Sequence, residues 1–237
     1  MVHLKITDVR ELPEDSAFLI DDGETAILYD TGFAFTGYAV ADRIHEELGE
    51  RGLDYILLTH SHYDHALGTP YILKRYPDAK VVAGSYAAHI LSKESARATM
   101  RHLDRACASS YGITDYEDLI DDLRVDVAVD DGDVVECGSM TFRIIGLPGH
   151  TRCSIGFYLE NHGILLGTET LGVYFGEGKY LPSCLVGYGL SLDSLEKVKK
   201  MDIRGMVLRT TGMWMQGVPP NTWKDRSRYC VRSQGML

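Results

Sequence analysis

The sequence predicts an α/β protein in which two β-sheets are sandwiched between layers of helices. Short apolar runs bounded by turn residues recur along the chain, as strands require. Segments with a helical spacing of apolar residues alternate with these runs in both halves, which is typical of layered α/β folds. With 237 residues, 45% of them hydrophobic, the chain is long enough to bury one large core. We therefore expect one domain over residues 1–208, followed by an atypical tail over residues 209–237.

The first half of the chain alternates strands and helices. Val40, Ile44 and Leu48 recur at a helical spacing in residues 38–48, and a glycine follows as a stop signal. Residues 54–59 are apolar without alternation, as expected for a strand that is buried on both faces. Further strands are predicted at 16–20, 25–29 and 80–83, and a further helix at 68–76.

A helical insertion follows, predicted over residues 85–122. Lys93, Arg97, Arg101 and Arg105 recur in it at intervals of four and would form one basic stripe on a helix. This stripe is either a solvated face or, where it lies over a binding site, an attraction for an anionic substrate. Strands follow at 124–129, 133–136, 141–145, 154–159, 163–166 and 205–208, and a helix at 191–200.

Composition limits the partners and the compartment. The formal net charge of -10 and the pI near 5.3 argue against a nucleic acid or an anionic membrane surface, because both would repel this protein. Five cysteines without a C-x-x-C pair favour a reducing cytoplasm over a disulfide framework. No apolar run is long enough for a signal peptide or a membrane span. We expect a small-molecule substrate, while the oligomeric state has no signal in the sequence.

One loop concentrates histidine. T-H-S-H-Y-D-H at residues 59–65 directly follows an apolar strand and holds three of the nine histidines of the chain. Because imidazole is the commonest side-chain metal ligand, this cluster predicts a metal site. Pro148 and Gly149 force a turn that presents His150 at the end of another strand, and Glu169 follows a further strand. Ligands at strand ends that converge on one edge would be held at a fixed spacing by the sheets.

The spacing within the loop suits two metal ions. His60 and His62 flank one residue, so in an extended turn both imidazoles can point to one side. Asp64 and His65 follow immediately and can face a second point nearby. One loop could therefore serve two ions.

These residues carry a resemblance to a known family. T-H-S-H-Y-D-H-A-L-G resembles the H-x-H-x-D-H signature of the metallo-β-lactamase superfamily. D-T-G at 30–32, P-G-H-T at 148–151 and G-T-E at 167–169 stand in the order of its other motifs. The resemblance runs from about residue 12 to residue 208 and implies an αββα sandwich with the metals between the loop edges of two sheets.

The resemblance also implies site residues. His60, His62 and His150 match the ligands of the first metal, and Asp64 and His65 match ligands of the second. Glu169 falls where the family usually has a bridging aspartate. Asp30 matches a position that supports the site, unless it is an ordinary aspartate between a strand and a turn.

Zinc hydrolysis is the chemistry that this ligand set implies. Three imidazoles with a carboxylate and water suit zinc, which lowers the pKa of a bound water from about 15.7 to about 7 and so supplies hydroxide. We expect one or two zinc ions, with iron or manganese as alternatives. A thioester, ester, lactone or amide would be cleaved, as in glyoxalase II-like enzymes, with Asp64 orienting the nucleophile and receiving its proton. A branch that reduces dioxygen or nitric oxide with paired iron typically has glutamate where His62 stands, so His62 favours hydrolysis.

The chain departs from the family pattern at two places. Glu169 is one methylene longer than aspartate, and it could bridge two ions, bind one, or hydrogen-bond a ligand. The family's second metal usually takes one more histidine after a late strand, but Arg209 stands there and no histidine occurs after His162. The alternative function is therefore a metal-binding protein with impaired or no catalysis.

The tail from Arg209 differs in composition from the rest of the chain. Five Lys or Arg and one Asp give it a net charge of +4, against -14 for the first 208 residues, and both tryptophans fall within it. A frameshift would explain this change: the codons CTC CGC ACT ACG, one coding of Leu208–Thr211, contain CCG CAC TAC, or Pro-His-Tyr, in a neighbouring frame. A genuinely divergent tail is the other explanation.

Overall fold

The computed structural model describes residues 4–174, 180–181, 183–208, 212–215 and 229–231. In these residues the chain forms a seven-stranded sheet, a six-stranded sheet and one two-stranded pair. The strands are β1 (Leu4–Asp8), β2 (Phe18–Asp21), β3 (Ala26–Tyr29), β4 (Tyr55–Leu58), β5 (Lys80–Gly84), β6 (Val127–Val129), β7 (Val134–Cys137), β8 (Met140–Gly146), β9 (Ile155–Leu159), β10 (Ile164–Leu166), β11 (Val173–Tyr174), β12 (Tyr180–Leu181), β13 (Gly205–Leu208), β14 (Gly212–Met215) and β15 (Tyr229–Val231). The helices are α1 (Gly37–Leu48), α2 (Tyr63–Ala66), α3 (Thr69–Arg75), α4 (Ser85–Leu91), α5 (Glu94–Ser110) and α6 (Tyr188–Lys199).

The first sheet is mixed, in the order β15-β1-β2-β3-β4-β5-β6. β15 to β3 are antiparallel, while β3 to β6 run parallel. The β2–β3 hairpin turns at Gly23, which has a φ of 91°, and the Asp22 carboxylate accepts the Thr25 N–H at 2.8 Å. Because parallel strands end at the same edge, the loops after β3 and β4 meet there.

The second sheet is also mixed, in the order β14-β13-β10-β9-β8-β7. β10 and β13 are parallel, and the other neighbouring pairs are antiparallel. The turn at Pro148–His150 follows β8, and Glu169 follows β10. Both segments reach the edge where the loops of the first sheet meet, because His150 contacts His62 and Glu169 contacts His65.

The core between the sheets follows from the alternation of side chains along each strand. Ile27 and Tyr29 pack into the inter-sheet core, whereas Leu28 between them packs on the helices outside the first sheet. From the second sheet, Phe142 and Phe157 meet edge to face in the inter-sheet core, with ring centroids 6.3 Å apart. A smaller cluster on the outer face of the second sheet includes Val198 of α6. Helices therefore cover both outer faces, and the predicted αββα sandwich is confirmed.

The helical insertion is shorter than predicted. α5 ends at Ser110, where the Ile113 N–H donates to the Ala108 carbonyl and the Gly112 N–H to the Ser109 carbonyl, each at 3.0 Å. Gly112 has a φ of 76°, so this is the Schellman stop that glycine favours. In the rest of the predicted insertion only the short 3-10 turn Ile120–Asp122 is helical, so the prediction of helical structure over 85–122 is wrong at 92–93 and over 111–119.

The basic stripe of the insertion is largely occupied by its own neighbours. Arg97 donates to the carbonyl oxygens of Leu91, Asp121 and Leu123 at 2.7, 3.1 and 2.7 Å. Arg101 and Arg105 both pair with Asp118, at 2.5 and 2.9 Å. These contacts hold α5 against the following loop, so these arginines of the stripe have a structural role.

Strands β1, β11, β12, β14 and β15 are absent from the predicted elements. β14 pairs with β13 and β15 pairs with β1, so two short pieces of the tail extend the sheets. The rest of the tail, on which the frameshift hypothesis depends, lies outside the described residues. Among the described residues no helix combines the length and apolar character that a membrane span needs.

Candidate metal centre

The first sheet contributes the histidine loop. β4 ends at Leu58, and His62, with φ of -75° and ψ of 150°, is still extended before α2 begins at Tyr63. His60 is fully buried and His62 is half-buried. Asp64 and His65 lie on the single turn of α2 and are both buried. The extended and helical parts of the loop thus present His60 and His62 from one part and Asp64 and His65 from the other.

The second sheet contributes His150 and Glu169. His150 follows Gly149, which has a φ of 149°, and a Cβ there would lie 2.3 Å from Ser191 Oγ. The His150 N–H donates to Thr170 Oγ1 at 3.0 Å, which joins the turn after β8 to the loop after β10. Glu169 is buried with only 2% of its surface exposed.

A first group of donors consists of His60, His62 and His150. The Nδ1 atom of His62 lies 3.0 Å from Nε2 of His150. The three ring centroids are 4.6 to 5.2 Å apart, and the rings meet nearly edge to face. One nitrogen from each ring lies within 4.8 Å of the others, so the three could hold one metal ion.

A second group consists of His60, His65 and Glu169. His65 Nε2 is 2.5 Å from Glu169 Oε1, and His60 Nε2 is 3.8 Å from Glu169 Oε2. The donor atoms of this group also lie within 4.8 Å of one another. His60 is common to both groups. Asp64 stands beside the second group, with Oδ2 4.0 Å from His65 Nε2.

Asp30 supports the site from below. It is fully buried and has a φ of 52°, in the left-handed region that aspartate tolerates better than most residues. Its carboxylate accepts from Ser16 Oγ at 3.0 Å and from the Thr59 N–H at 2.9 Å, and lies 2.7 Å from His65 Nδ1. Thr59 Oγ1 bonds both the Asp30 carboxylate, at 2.9 Å, and His60 Nδ1, at 3.0 Å. One carboxylate thus orients His65 directly and His60 through Thr59.

Sequence reasoning missed Thr59 and Ser183. Ser183 Oγ lies 2.9 Å from Nδ1 of His150. Thr59 had a readable signal, since it is a polar residue at the end of an apolar strand directly before His60. Ser183 had none, because its contact depends on how the chain returns after β10.

The electrostatics divide the histidines into two kinds. Burial, together with the neighbouring histidines, lowers the pKa of His60 well below its usual value and that of His62 to about 4. Burial likewise lowers the pKa of His150. Burial also opposes charge on His65, but Glu169 and Asp30 outweigh it and raise the pKa of His65 to about 10. Burial would raise the pKa of Glu169, but His65 and His60 hold it well below its usual value.

The sequence model of the metallo-beta-lactamase superfamily matches residues 15–204. The lactamase-like protein notP of Aspergillus sp. (strain MF297-2) is 28% identical over 173 residues, which are 72% of this chain and 41% of that protein. A hydroxyacylglutathione hydrolase of Stenotrophomonas maltophilia is 30% identical over 144 residues, 61% of this chain and 41% of that enzyme. The chain thus spans about two fifths of the length of these relatives.

Solved structures share the fold. A metallo-beta-lactamase superfamily protein from Sulfolobus tokodaii superposes with a TM-score of 0.66 at 21% sequence identity, covering 93% of this chain and 82% of that one. The sequence match covers strands of both sheets and the histidine loop, and the observed sandwich agrees with it. The chain therefore belongs to the metallo-beta-lactamase superfamily.

Proposed function

We propose that this protein is a metal-dependent hydrolase that cleaves a thioester, ester, lactone or amide, with zinc as its metal. Membership of the superfamily and similarity to a hydroxyacylglutathione hydrolase support the reaction class. The observation that carries the proposal is the convergence of donor atoms from both sheets on one buried place, in two groups that share His60.

The residues present fit a metal ion. Within the described part of the chain, Nε2 of His60 is fully buried and has no hydrogen-bond partner. A buried nitrogen left in this way costs free energy, and a cation among the surrounding donors would satisfy it. Nitrogen donors with one carboxylate suit zinc, although iron and manganese accept the same ligands.

In this proposal His60, His62 and His150 would hold a first ion, and His65, Glu169 and Asp64 would hold a second. A bound metal would supply Lewis acidity, which polarises the substrate carbonyl and lowers the pKa of water at the site. Glu169 lies between His60 and His65, so it is placed to contact either ion.

The protein's own residues orient the attacking water, accept its proton and hold the histidine rings. We assign to Asp64 the orientation of the attacking water and the acceptance of its proton, because it borders the second group. Asp30 and Thr59 hold the rings of His65 and His60, so the donor atoms keep their direction through a reaction cycle. We place the protein in a reducing cytoplasm; four cysteines in the described residues carry free thiols.

The second candidate function is a metal-binding protein with impaired or no catalysis. The observation that favours it is the lack of any histidine after His162, where the family's last ligand is due. A frameshift in the gene or a divergent tail would account for this equally. Sequencing the gene separates the two: a neighbouring frame without a histidine codon near Arg209 eliminates the frameshift.

Metal counting combined with hydrolysis assays tests the proposal. The purified protein is analysed for metal and then assayed with a thioester and with the β-lactam nitrocefin. Bound zinc with turnover supports the hydrolase, bound metal without turnover supports the second candidate, and no bound metal refutes both. His62→Asn should lose metal and turnover together. His89→Asn, at an exposed histidine that belongs to neither donor group, serves as the control and should retain both metal and turnover.

A further inference from the structure

Ser183 contacts both residues that the second sheet brings to the site. Its Oγ lies 2.9 Å from Nδ1 of His150, and its N–H donates to the carbonyl oxygen of Glu169 at 3.0 Å. Three residues later, the Val186 N–H donates to the Gly149 carbonyl at 2.9 Å. The segment is therefore fastened to the turn before His150 and to the loop of Glu169 at once, which fixes the place of the Ser183 hydroxyl.

The Ser183 hydroxyl contacts the nitrogen of His150 that does not face His62. Nε2 of His150 is the atom that faces His62, at 3.0 Å from its Nδ1. A neutral imidazole can offer the Nε2 lone pair only when its proton is on Nδ1. The Ser183 oxygen lies 2.9 Å from Nδ1, where it can accept a hydrogen bond from that proton and hold the plane of the ring. A serine hydroxyl can also donate to an unprotonated Nδ1, so the contact fits the Nε2-binding tautomer when Ser183 acts as the acceptor.

We propose that Ser183 is a positioning residue that fixes the tautomer and ring orientation of His150 and couples it to Glu169. This inference rests on the proposed metal site. Ser183 would orient His150, which follows a strand of the second sheet. Asp30 and Thr59 do the same for His65 and His60, which follow a strand of the first sheet. Ser183 itself does not touch a metal or a substrate in this proposal.

The test compares three variants. Ser183→Ala removes the acceptor, and Ser183→Thr keeps a hydroxyl at the same atom. Ser194→Ala is the matched control, because Ser194 Oγ donates to the Pro148 carbonyl at 2.7 Å in the same turn without contacting His150. Affinity for zinc is measured by competition with a chromophoric chelator, on protein that circular dichroism shows to be folded.

We expect Ser183→Ala to bind zinc about 10- to 100-fold more weakly, the usual effect of removing a group that orients a ligand. Ser183→Thr should restore most of the affinity, while Ser194→Ala should lower the midpoint of urea unfolding but leave zinc affinity unchanged. If Ser183→Ala binds zinc as tightly as Ser194→Ala does, the proposal is overturned. A wild-type protein that binds no zinc overturns both this inference and the proposed function.

A readout without metal keeps the inference testable if Ser183→Ala does not fold. Long-range proton–nitrogen correlation spectra of the metal-free wild type report which nitrogen of His150 carries the proton. We expect the proton on Nδ1 in the wild type and in Ser183→Thr, and on both nitrogens in exchange in Ser183→Ala. A wild-type His150 protonated on Nε2 refutes the role of Ser183, whatever metal the protein binds.

Discussion

Asp30 shows how much one buried side chain does at this site. Its carboxylate collects hydrogen bonds from Ser16 and from two groups of Thr59, and it also contacts His65. The left-handed backbone at Asp30, with a φ of 52°, aims the carboxylate under the histidine loop. Such a conformation costs free energy in most residues, so it is kept here because the surrounding contacts require it.

Replacing Asp30 by asparagine isolates this role. Asparagine has nearly the same size and tolerates the left-handed backbone, but it presents an NH₂ group to partners that are donors. We expect Asp30→Asn to lower the free energy of unfolding by about 1–3 kcal/mol, the cost of leaving buried donors unsatisfied. Urea unfolding measures the change. Asp78→Asn, at an exposed aspartate, is the control, and an equal effect in both variants would count against this account.

In the metal-free protein, His65 and His62 should make the stability of the fold depend on pH in opposite directions above and below neutral pH. The folded pKa of His65 is raised to about 10, so its contribution to stability is full below the unfolded value of about 6.5 and is lost as the pH rises toward 10. The folded pKa of His62 is lowered to about 4, so stability is lost as the pH falls from about 6.5 toward 4.

Urea midpoints measured from pH 4 to pH 10 with a chelator present should therefore fall on both sides of neutral pH. His65→Asn should remove the alkaline fall, because asparagine does not titrate, while the acid fall remains. An alkaline fall of the same size in His65→Asn would show that His65 is not its cause.

At the scale of elements, the sequence is most informative where a strand is buried on both faces or where a candidate metal ligand lies at the end of a strand. Residues 54–59 were correctly interpreted as a strand, observed at Tyr55–Leu58, because an unbroken apolar run leaves few alternatives. The histidine loop and the P-G-H turn come from strand ends whose motifs are local. Ser183 was not predictable, since its contact with His150 joins residues 33 positions apart through tertiary structure. Gly112, which follows α5, is a local stop signal in the sequence, but the predicted helical stretch ran past it to residue 122.

Gly68 sets how closely the histidine loop approaches the first sheet. It lies between α2 and α3, and a Cβ there would come 2.0 Å from the carbonyl oxygen of Thr31. That backbone cannot easily move, because the Thr31 N–H donates to the His65 carbonyl at 2.8 Å and the Gly68 N–H donates to the Gly32 carbonyl at 3.1 Å. The loop and the end of β3 are therefore fixed against each other at this point.

We expect Gly68→Ala to lower the free energy of unfolding by about 1–3 kcal/mol or more, as overpacking against a fixed backbone does. The control is Gly52→Ala, where a Cβ would meet nothing within 4 Å. Urea unfolding of both variants measures the difference. A Gly68→Ala protein as stable as Gly52→Ala would mean that the histidine loop can shift away from β3.

At the scale of the whole molecule, the site lies where the two sheets are tied together. The Tyr29 hydroxyl of the first sheet donates to the Gly167 carbonyl of the second, and the Ile155 N–H donates to the Thr59 carbonyl at 3.0 Å. Donor atoms come from the first sheet at His60 and His65 and from the second at Glu169. An ion at this place would connect the two layers, so its effect should extend to the global stability of the fold.

Removing metal should therefore lower the stability of the whole domain. A ligand that binds only the folded state stabilises it by about 2.7 kcal/mol when its free concentration is 100 times the dissociation constant. We expect added zinc to raise the urea midpoint of chelator-treated wild type by an amount of this order, followed by far-UV circular dichroism. His89→Asn should respond like the wild type, whereas His150→Asn should respond much less, because it loses the donor that the second sheet provides to the first group. If zinc raised the midpoint of His150→Asn as far as that of the wild type, the ion would not be bound between the sheets.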